Sequence, residues 1–504
     1  MKWANFLHVY QPADQQPDIL DAVVTQSYRP IFTHLRDNPD VRMTLNITGA
    51  LLELFDKYGY RDLLDILREL AQSGKVEFTG TAKYHAFLPF LSEEEIKRQI
   101  VANTETLSYY LGENFKPKGF FPPEMAYNRN VLPVLESLGF EWIILDEIAC
   151  TGAAGEVDYT KIYKIKDSKL NVFFRERRLS NLIMGAIVRS PETLEEAMKD
   201  DLKSDRYIIT GMDGETFGHH RPGLEKMLFD VLSDKNFELI TISEIFDFYK
   251  ETVEIEPIVS TWASTKADID KGVQFLSWSD PDNMVHRWQK ELLDMTLAAV
   301  NEMDKNNPVY DIIRKNMDKG MSSDPFFWAS AKPWWSIEMI EVGAFRLIDI
   351  IRSVPGVSKD KLEKASSLYE KIISLAFTWQ RTGKIREMFQ SQKTILRIPF
   401  KDRTFGTPGK EHEYRAFLDM MKQLEVKALK TGEYEKAILW RDAAYKLENK
   451  SDIYDTINVI DLLRTEIPNE EVDKVLEKYR EQYLKIRGGQ PEQRDFFNND
   501  IEVI

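Results

Sequence analysis

The amino-acid sequence predicts an α/β protein in which parallel strands form a closed barrel and an α-helical domain follows it. Short apolar or aromatic runs alternate with helical patterns through the first half of the chain, which is typical of a parallel sheet built from strand–helix–strand units. These runs are apolar on both sides, as expected where helices cover the sheet. From about Val285 onward, long helical patterns replace the strand signals.

Seven candidate strands follow one another along the chain. They are WANFLHV (3–9), VRMTLNI (41–47), VEFTG (76–80), KGFFP (118–122), WIIL (142–145), YIITGM (207–212) and FELITI (237–242). Helical patterns separate most of them. One of these, SEEEIKRQIVANTETLSYYLG, opens with Ser92 and Glu95 at the spacing of a capping box. We therefore expect residues 1–284 to form the barrel.

Three further segments are expected after the barrel. Residues 285–397 contain an apolar stripe at helical spacing between Leu362 and Leu375, and are predicted to form a helical domain that completes the cleft. Residues 398–412 are rich in proline and glycine and are predicted to be a linker. Residues 413–504 are predicted to be a charged helical tail.

Composition excludes several classes of protein. The formal net charge of -15 gives a field of the wrong sign for a general nucleic-acid binder or for a partner of anionic membranes. The single cysteine, Cys150, excludes an internal disulfide and a thiolate metal cluster. The start MKWANFLHVYQP lacks the apolar run of a signal peptide, and no stretch approaches the ~18 apolar residues of a membrane span. We expect a cytoplasmic protein.

Polar side chains follow four of the predicted strands. They are Tyr10 and Gln11 after the first strand, Lys83, Tyr84 and His85 after the third, Glu124 after the fourth, and Asp213 and Glu215 after the sixth. Because the carboxyl ends of barrel strands meet at one rim, these residues are expected to lie close together.

Two carboxylates at this rim suit glycoside hydrolysis, in which one attacks the anomeric carbon and a protonated partner assists the leaving oxygen. Glu124 follows two prolines in FFPPEMAYN, so its carboxylate is expected to project from a rigid turn. In IITGMDGETFGHH, either Asp213 or Glu215 is a candidate proton donor, because burial at an apolar strand end raises a carboxyl pKa.

Four ordered stretches, HVYQP, GKVEFTGTAKYHAFLP, GFFPPEMAYN and MDGETFGHH, resemble the first four motifs of glycoside hydrolase family 57. The resemblance covers about the first two thirds of the chain. It implies a (β/α)7 barrel followed by a helical bundle, and a retaining enzyme that acts on an α-glucan or maltooligosaccharide. It also implies that Glu124 is the nucleophile and Asp213 the general acid/base. We expect no cofactor and no bound metal.

The same resemblance implies a set of residues around the two carboxylates. Those that match positions lining the family's site are His8, Gln11, Glu77, His85 and Glu215, and the predicted aromatic walls are Trp262, Trp278, Trp334 and Trp335. Tyr10 stands where the first motif usually has a histidine, and the fifth motif is at best WASAKPWWS. These departures leave the bond type open, and also the choice between hydrolysis and 4-α-glucanotransferase activity.

Two alternative functions remain open. The paired His219 and His220 suggest a metal-dependent polysaccharide deacetylase, although no Asp-Asp strand end accompanies them. The altered first and fifth motifs suggest a non-catalytic carbohydrate-binding or assembly protein, although both candidate carboxylates are present.

The stretch KALKTGEYEKAILWRDAAYKLENK resembles the UVR motif, a helical hairpin for protein contacts. Two helices joined at Thr431–Gly432 are predicted here. Their predicted mating residues are Ala428, Tyr434, Ala437, Ile438, Ala444 and Leu447. The resemblance implies a protein partner for this tail.

Overall fold

The structure is a computed structural model. It describes residues 1–112, 115–332, 334–390 and 411–449, and short pieces between residues 462 and 479. The predicted linker, residues 398–412, lies outside the described residues except for its last two positions.

All seven predicted strands are confirmed, and three more are present. The strands are β1 (Lys2–Val9), β2 (Met43–Ile47), β3 (Val76–Thr79), β4 (Gly119–Phe120), β5 (Trp142–Asp146), β6 (Ile162–Ile165), β7 (Asn171–Arg175), β8 (Tyr207–Asp213), β9 (Glu238–Ile240) and β10 (Thr252–Ile255). The prediction missed β6, β7 and β10. Strands β6 and β10 are short and contain charged residues, and the apolar run of β7 leads into the charged sequence RERR.

Helices connect and cover these strands. The α-helices of the first part are α1 (Pro17–Val23), α2 (Arg29–Asp37), α3 (Gly49–Lys57), α4 (Arg61–Ser73), α5 (Glu93–Leu111), α6 (Val131–Ser137), α7 (Ile148–Thr151), α8 (Arg177–Met184), α9 (Pro191–Met198), α10 (Leu224–Ser233), α11 (Ile245–Phe248), α12 (Lys266–Asp270) and α13 (Leu276–Ser279). Short 3-10 turns lie at Leu88–Phe90, Pro123–Met125 and Gly214–Thr216, and a π-helical turn at Val24–Tyr28. Half of the predicted capping box is present at α5, where the Ser92 hydroxyl accepts from the Glu95 N–H, whereas the Glu95 carboxylate pairs with Arg314 instead.

The later part of the chain is helical, as predicted. Its helices are α14 (Met284–Asn301), α15 (Tyr310–Gly320), α16 (Asp324–Phe327), α17 (Ile337–Ser353), α18 (Lys359–Thr382), α19 (Lys384–Gln390), α20 (Glu411–Thr431) and α21 (Tyr434–Asn449). No helix in the part of the chain described here combines the length and apolar character of a membrane-spanning segment.

The strands form two five-stranded sheets. The first has the order β3-β2-β1-β8 with β9 beside the start of β1, and the second has the order β10-β6-β7-β5-β4. All described pairs are parallel except β6 with β7. The expected closed barrel is not confirmed, because no closed ladder is found among the described residues. The sheets adjoin where the Phe121 N–H donates to the Gly80 carbonyl at 2.9 Å, and where the Glu176 N–H donates to the Ile209 carbonyl at 2.7 Å.

Alternate residues of β1 contribute to two separate cores, as the period of a strand requires. Ala4 and Phe6 belong to a core that includes the second sheet and helices α14 to α18. Trp3 and Leu7 belong to a core formed with the outer helices. The polar residues of the site therefore continue the inner face of β1.

Buried polar contacts fix the helices after α13 against the first part of the chain. Arg314 forms a buried ion pair with Glu95, and the Arg98 guanidinium is bonded to Asp318 at 2.7 Å. The Ser323 N–H also donates to the His85 carbonyl at 3.0 Å. This last contact brings the start of α16 to the rim of the first sheet.

The predicted C-terminal hairpin has its own core, to which Phe417, Met421 and Trp440 contribute. Its turn lies at Thr431–Gly432 as predicted, with Gly432 at φ 76°. The predicted mating surface is wrong in part. Tyr434 is 68% and Ile438 is 50% exposed, whereas Ala428, Ala437, Ala444 and Leu447 are buried.

A substitution of Gly119 tests the packing between β4 and β5. A Cβ atom at Gly119 would overlap the Trp142 indole, so we expect Gly119→Ala to lower the free energy of unfolding by about 1–3 kcal/mol. Trp142→Phe removes the overlapping ring atoms, so the double variant is expected to be less destabilised than the sum of the single changes, measured by chemical denaturation. An additive result would contradict this account.

Candidate active site

Polar residues at the carboxyl ends of four neighbouring strands, β8, β1, β2 and β3, are aligned with one another. The strand register aligns Asp213 of β8 with His8 of β1, His8 with Asn46 of β2, and Asn46 with Thr79 of β3. All four follow the inner face of the first sheet at its carboxyl end. This is the rim on which the sequence predicted a site.

Glu124 and His85 have a backbone conformation that side chains rarely adopt. Their φ angles are 63° and 53°, and Met125 has a φ of 46°. A left-handed conformation costs a non-glycine residue about 1–2 kcal/mol. Such residues persist where surrounding contacts hold them, and they concentrate at functional sites.

Glu124 is held from both its main chain and its side chain by Trp262. The Trp262 indole N–H donates to Glu124 Oε2 at 2.9 Å, and the Trp262 main-chain N–H donates to the Glu124 carbonyl at 3.2 Å. Burial raises the pKa of the Glu124 carboxyl well above its usual range, and the charges of Asp213 and Asp324 raise it further. The indole hydrogen bond lowers this pKa, because it stabilises the ionised form.

Asp213 and Glu215 lie close together at the end of β8, where Glu215 is buried and Asp213 is half-buried. Burial raises the pKa of Asp213, and the Arg175 guanidinium opposes that shift. Burial and the charge of Asp213 raise the pKa of Glu215. The Glu215 carboxylate accepts hydrogen bonds from Gln11 Nε2 at 2.8 Å and from the Tyr28 hydroxyl. Glu215 is therefore held in place, and the environment of Asp213 favours a group that can both donate and accept a proton.

A chain of hydrogen bonds orients the two site histidines. Asn46 Nδ2 donates to Thr79 Oγ1 at 2.9 Å, which leaves Asn46 Oδ1 to accept from His8 Nδ1 at 2.7 Å. His8 Nε2 then accepts from His85 Nε2 at 3.1 Å, and His85 Nδ1 accepts from the Ser323 hydroxyl at 2.9 Å. Burial lowers the pKa of His85 to about 3 and that of His8 well below its usual value. Both rings are neutral.

Tyr10 has a partner from the helical part of the chain. Its ring stacks on His85 with centroids 4.2 Å apart, and its hydroxyl donates to Asp324 Oδ2 at 2.6 Å. Asp324 also accepts from the Ser322 hydroxyl. Asp324 is thus a second carboxylate, besides Asp213, that is close enough to raise the pKa of Glu124.

Two of the sequence-predicted site residues lie elsewhere. Glu77 is aligned with Thr44, one level of the sheet below Asn46 and Thr79 and about 6.6 Å along the strand from them. Its carboxylate accepts from Thr44 Oγ1 and from Ser243. The structure therefore does not bring Glu77 to the carboxylates.

Trp278 is also not placed to stack on a ligand, because it is 1% exposed. Its ring stacks between Phe87 and Phe327, with centroids 5.1 Å and 5.6 Å away. Trp278 is a core residue.

The other predicted tryptophans are partly exposed. Trp262 contacts Glu124, as described above. Trp334 lies 5.5 Å from Trp328, which is one helical turn after Asp324, whereas Trp335 lies 5.9 Å from Trp379. Trp334 thus packs beside the end of α16.

His219 and His220 do not converge on one point. The His219 ring is bonded to Gln26 at 2.7 Å, and the two rings are tilted with centroids 5.4 Å apart. Among the residues that the structure describes, no group of three or more His, Cys, Asp or Glu side chains is arranged to hold a metal ion.

Sequence reasoning missed Asp146, Arg175 and Arg177. Arg175 Nε donates to the Gly211 carbonyl at 2.6 Å, and Arg175 Nη1 donates to Asp146 at 2.8 Å. Asp146 and Arg175 are the last residues of β5 and β7, so the strand-end rule used for the other candidates applies to them as well. The charged residues that directly follow the apolar run in VFFRER were the sequence feature that could have indicated Arg175 and Arg177.

The model of glycosyl hydrolase family 57 matches residues 7–258, which include the end of β1 and all of β2 to β10. The chain belongs to this family. It is 25% identical over 261 residues to a 4-alpha-glucanotransferase of Thermococcus litoralis, an alignment that covers 48% of this chain and 38% of that protein. It is 24% identical over 264 residues to an alpha-amylase of Pyrococcus horikoshii, covering 49% of this chain and 40% of that one. The chain spans about two fifths of the length of these relatives.

Solved structures from the family have a similar fold. The GH57 branching enzyme of Thermococcus kodakaraensis superposes with a TM-score of 0.57 and 17% identity, covering 73% of this chain and 94% of that one. The 4-alpha-glucanotransferase of Thermococcus litoralis gives a TM-score of 0.55 and 18% identity, covering 71% and 59%. The likeness extends beyond the matched residues into the helical part.

The strain at Glu124 can be measured by comparing two variants. Glu124→Gly relieves the left-handed conformation and Glu124→Ala does not, so the glycine variant is expected to be more stable by about 1 kcal/mol. The matched control is Glu370, an exposed residue of α18, where alanine is expected to be more stable than glycine by about 1 kcal/mol. The free energy of unfolding in denaturant measures both. The same order at both positions would contradict strain at Glu124.

Proposed function

We propose that the chain is a retaining α-glucan-active enzyme in which Glu124 is the nucleophile and Asp213 the general acid/base. The observation that carries this proposal is that each carboxylate is largely buried at the rim, with Asp213 close enough to raise the pKa of Glu124. Each group also has a different stabilising partner, an indole N–H for Glu124 and a guanidinium for Asp213. Different environments suit different roles.

In the first step, Glu124 attacks the anomeric carbon while Asp213 gives its proton to the departing glycosidic oxygen. The C–O bond to the leaving group breaks, and a covalent β-glucosyl enzyme forms. In the second step, Asp213 takes a proton from water or from an acceptor hydroxyl, which attacks the anomeric carbon and releases Glu124. Water as acceptor gives hydrolysis, and a sugar hydroxyl gives transfer.

The substrate assignment is supported by the names of the relatives, a 4-alpha-glucanotransferase and an alpha-amylase. Half-buried Trp262 and Trp334 offer apolar surface to a glucose ring. A glucan or maltooligosaccharide is therefore the substrate class that we propose.

We also propose that the family's (β/α)7 ring is present with β7 in place of β9. The order β8-β1-β2-β3 continues into β4-β5-β7 through the Gly80 hydrogen bonds to Gly119 and Phe121, and returns to β8 through the bond from Glu176 to Ile209. The ladders within β8-β1-β2-β3 and within β4-β5-β7 are parallel, as is the bridge between Gly80 and Phe120. A β9 strand paired only with the start of β1 would then lie outside the ring.

Incubation with maltoheptaose tests the proposed activity. We expect products of altered length from the wild-type protein. Products longer than the input indicate transfer, and only shorter ones indicate hydrolysis. Glu124→Gln and Asp213→Asn are each expected to lower kcat by a factor of at least about 10³, because each removes a group that acts in the reaction. Full turnover by both variants, with mass spectrometry of the product ladder as the readout, would contradict the assignment.

Asp213→Asn offers a more specific result. With a substrate whose leaving group needs no protonation, such as a glucosyl fluoride, the first step is expected to proceed without Asp213. External azide is then expected to restore turnover by attacking the glucosyl enzyme, and the configuration of the azide adduct reports whether the reaction retains. Glu124→Gln is the matched variant that azide should not rescue in this way.

A further inference from the structure

Asp146 lies between two arginines behind the proposed catalytic carboxylates. It ends β5 and is 1% exposed. Asp146 Oδ2 accepts from Arg175 Nη1 at 2.8 Å, and Asp146 Oδ1 accepts from Arg177 Nε at 2.9 Å. A buried ion pair adds little net stability, since the cost of desolvating the charges offsets their attraction. We therefore looked for the role of Asp146 in the other hydrogen bonds that Arg175 and Arg177 form.

Arg177 leads from Asp146 to Glu124. Arg177 Nη2 donates to the Trp262 carbonyl at 3.0 Å, and Arg177 Nη1 donates to the Ser264 carbonyl at 2.9 Å. These two bonds fix the backbone that carries Trp262. The Trp262 indole in turn donates to Glu124 Oε2 at 2.9 Å. Three hydrogen bonds thus connect the Asp146 carboxylate to the Glu124 carboxylate.

Arg175 leads from Asp146 to Asp213. Its Nε donates to the carbonyl of Gly211, two residues before Asp213 on β8, and its charge lowers the pKa of Asp213 against the effect of burial. Arg175 Nη2 also donates to Asn181 Oδ1 at 2.9 Å. The guanidinium is therefore held in one orientation.

We propose that Asp146 is a positioning residue for both carboxylates: through Arg177 and Trp262 it orients Glu124, and through Arg175 it fixes a positive charge beside Asp213. This inference rests on the proposed function. The titratable groups that face Glu124 are Asp213, Asp324 and His85, two acids and one neutral ring. None of them supplies a positive charge, and the hydrogen bond from Trp262 is the contact that lowers the pKa of Glu124 against burial and these acids.

The test uses Arg177→Lys, Trp262→Phe and the double variant. Lysine keeps the charge but lacks the planar fork that reaches Asp146, Ser264 and Trp262 together. We expect Arg177→Lys to lower kcat roughly 10- to 100-fold through misplacement of Glu124, with KM nearly unchanged. The acid limb of the pH–rate profile should move to higher pH, because a weaker indole bond lets the pKa of Glu124 rise and the nucleophile must be ionised.

The double variant tests whether Arg177 affects Glu124 through Trp262. If Arg177 acts through Trp262, Arg177→Lys should add little to the effect of Trp262→Phe on kcat and on the acid limb. Additive effects, or an acid limb unchanged in Arg177→Lys, would overturn the proposal. The matched control is Arg178→Lys, since Arg178 pairs with Asp201 and Glu176 and lies outside this network. Its kinetics should equal those of the wild type, and an equal loss in the control would attribute both effects to general damage.

A fluorescence titration tests the network without turnover. The pH-dependent signal of Trp262, taken as wild type minus Trp262→Phe, should report the protonation of Glu124 and should be absent in Glu124→Gln. Its midpoint should rise in Arg177→Lys. An unchanged midpoint would overturn the positioning role. If the wild type did not act on maltoheptaose, the proposed function would be contradicted. The titration would still test whether Arg177 affects the protonation of Glu124.

Discussion

The site is organised by the need to keep several carboxylates close together in a largely buried place. Glu124, Asp213, Glu215 and Asp324 all have pKa values raised by burial. Burying an unpaired charge costs several kcal/mol even after relaxation. The surrounding fold must therefore supply hydrogen-bond donors, and the arrangement of those donors determines which carboxylate is ionised.

Most of these donors are neutral. Glu215 accepts from Tyr28 and Gln11, Asp324 from Tyr10 and Ser322, and Glu124 from Trp262. A cation in direct contact would hold a carboxylate permanently ionised, whereas a neutral donor stabilises the charge and still leaves it able to react. Arg175 is placed differently, since it lowers the pKa of Asp213 while its own hydrogen bonds are made to Gly211, Asp146 and Asn181.

The histidines follow the same logic. A protonated His85, 3.8 Å from Glu124, would pair with this proposed nucleophile and reduce its reactivity. The chain from Thr79 through Asn46 and His8 to Ser323 gives each ring one bond to donate and one to accept, which is satisfied only by neutral rings. Strand register aligns Thr79, Asn46 and His8, so the sheet itself orients the His8 ring, while burial lowers the pKa of both histidines.

The sequence predicted what depends on local pattern. Strand ends marked Glu124, Asp213 and His85 because apolar runs stop there and polar residues begin. It did not predict Arg177 with Trp262, which are 85 positions apart, because such pairing depends on how distant loops meet.

Glu77 and Trp278 were misplaced for related reasons. The sequence pattern gives the residue types. It does not give the position of Glu77 along its strand or the direction in which the Trp278 ring points. The sequence also missed β7, since the charges that follow it are typical of a loop and are instead buried in ion pairs.

Tyr10 shows how the two parts of the chain share the site. It follows β1, yet its hydroxyl bonds Asp324, 314 positions later at the start of α16. The neighbouring Ser323 bonds the ring and the main chain of His85, so two contacts from one turn hold both aromatic groups on this side of Glu124. The pair Tyr10–Asp324 therefore links the geometry around Glu124 to the docking of the helices. The ion pairs of Glu95 with Arg314 and of Arg98 with Asp318 stabilise the same docking. Sequence changes in the helical part can thus alter the site without touching either proposed catalytic carboxylate.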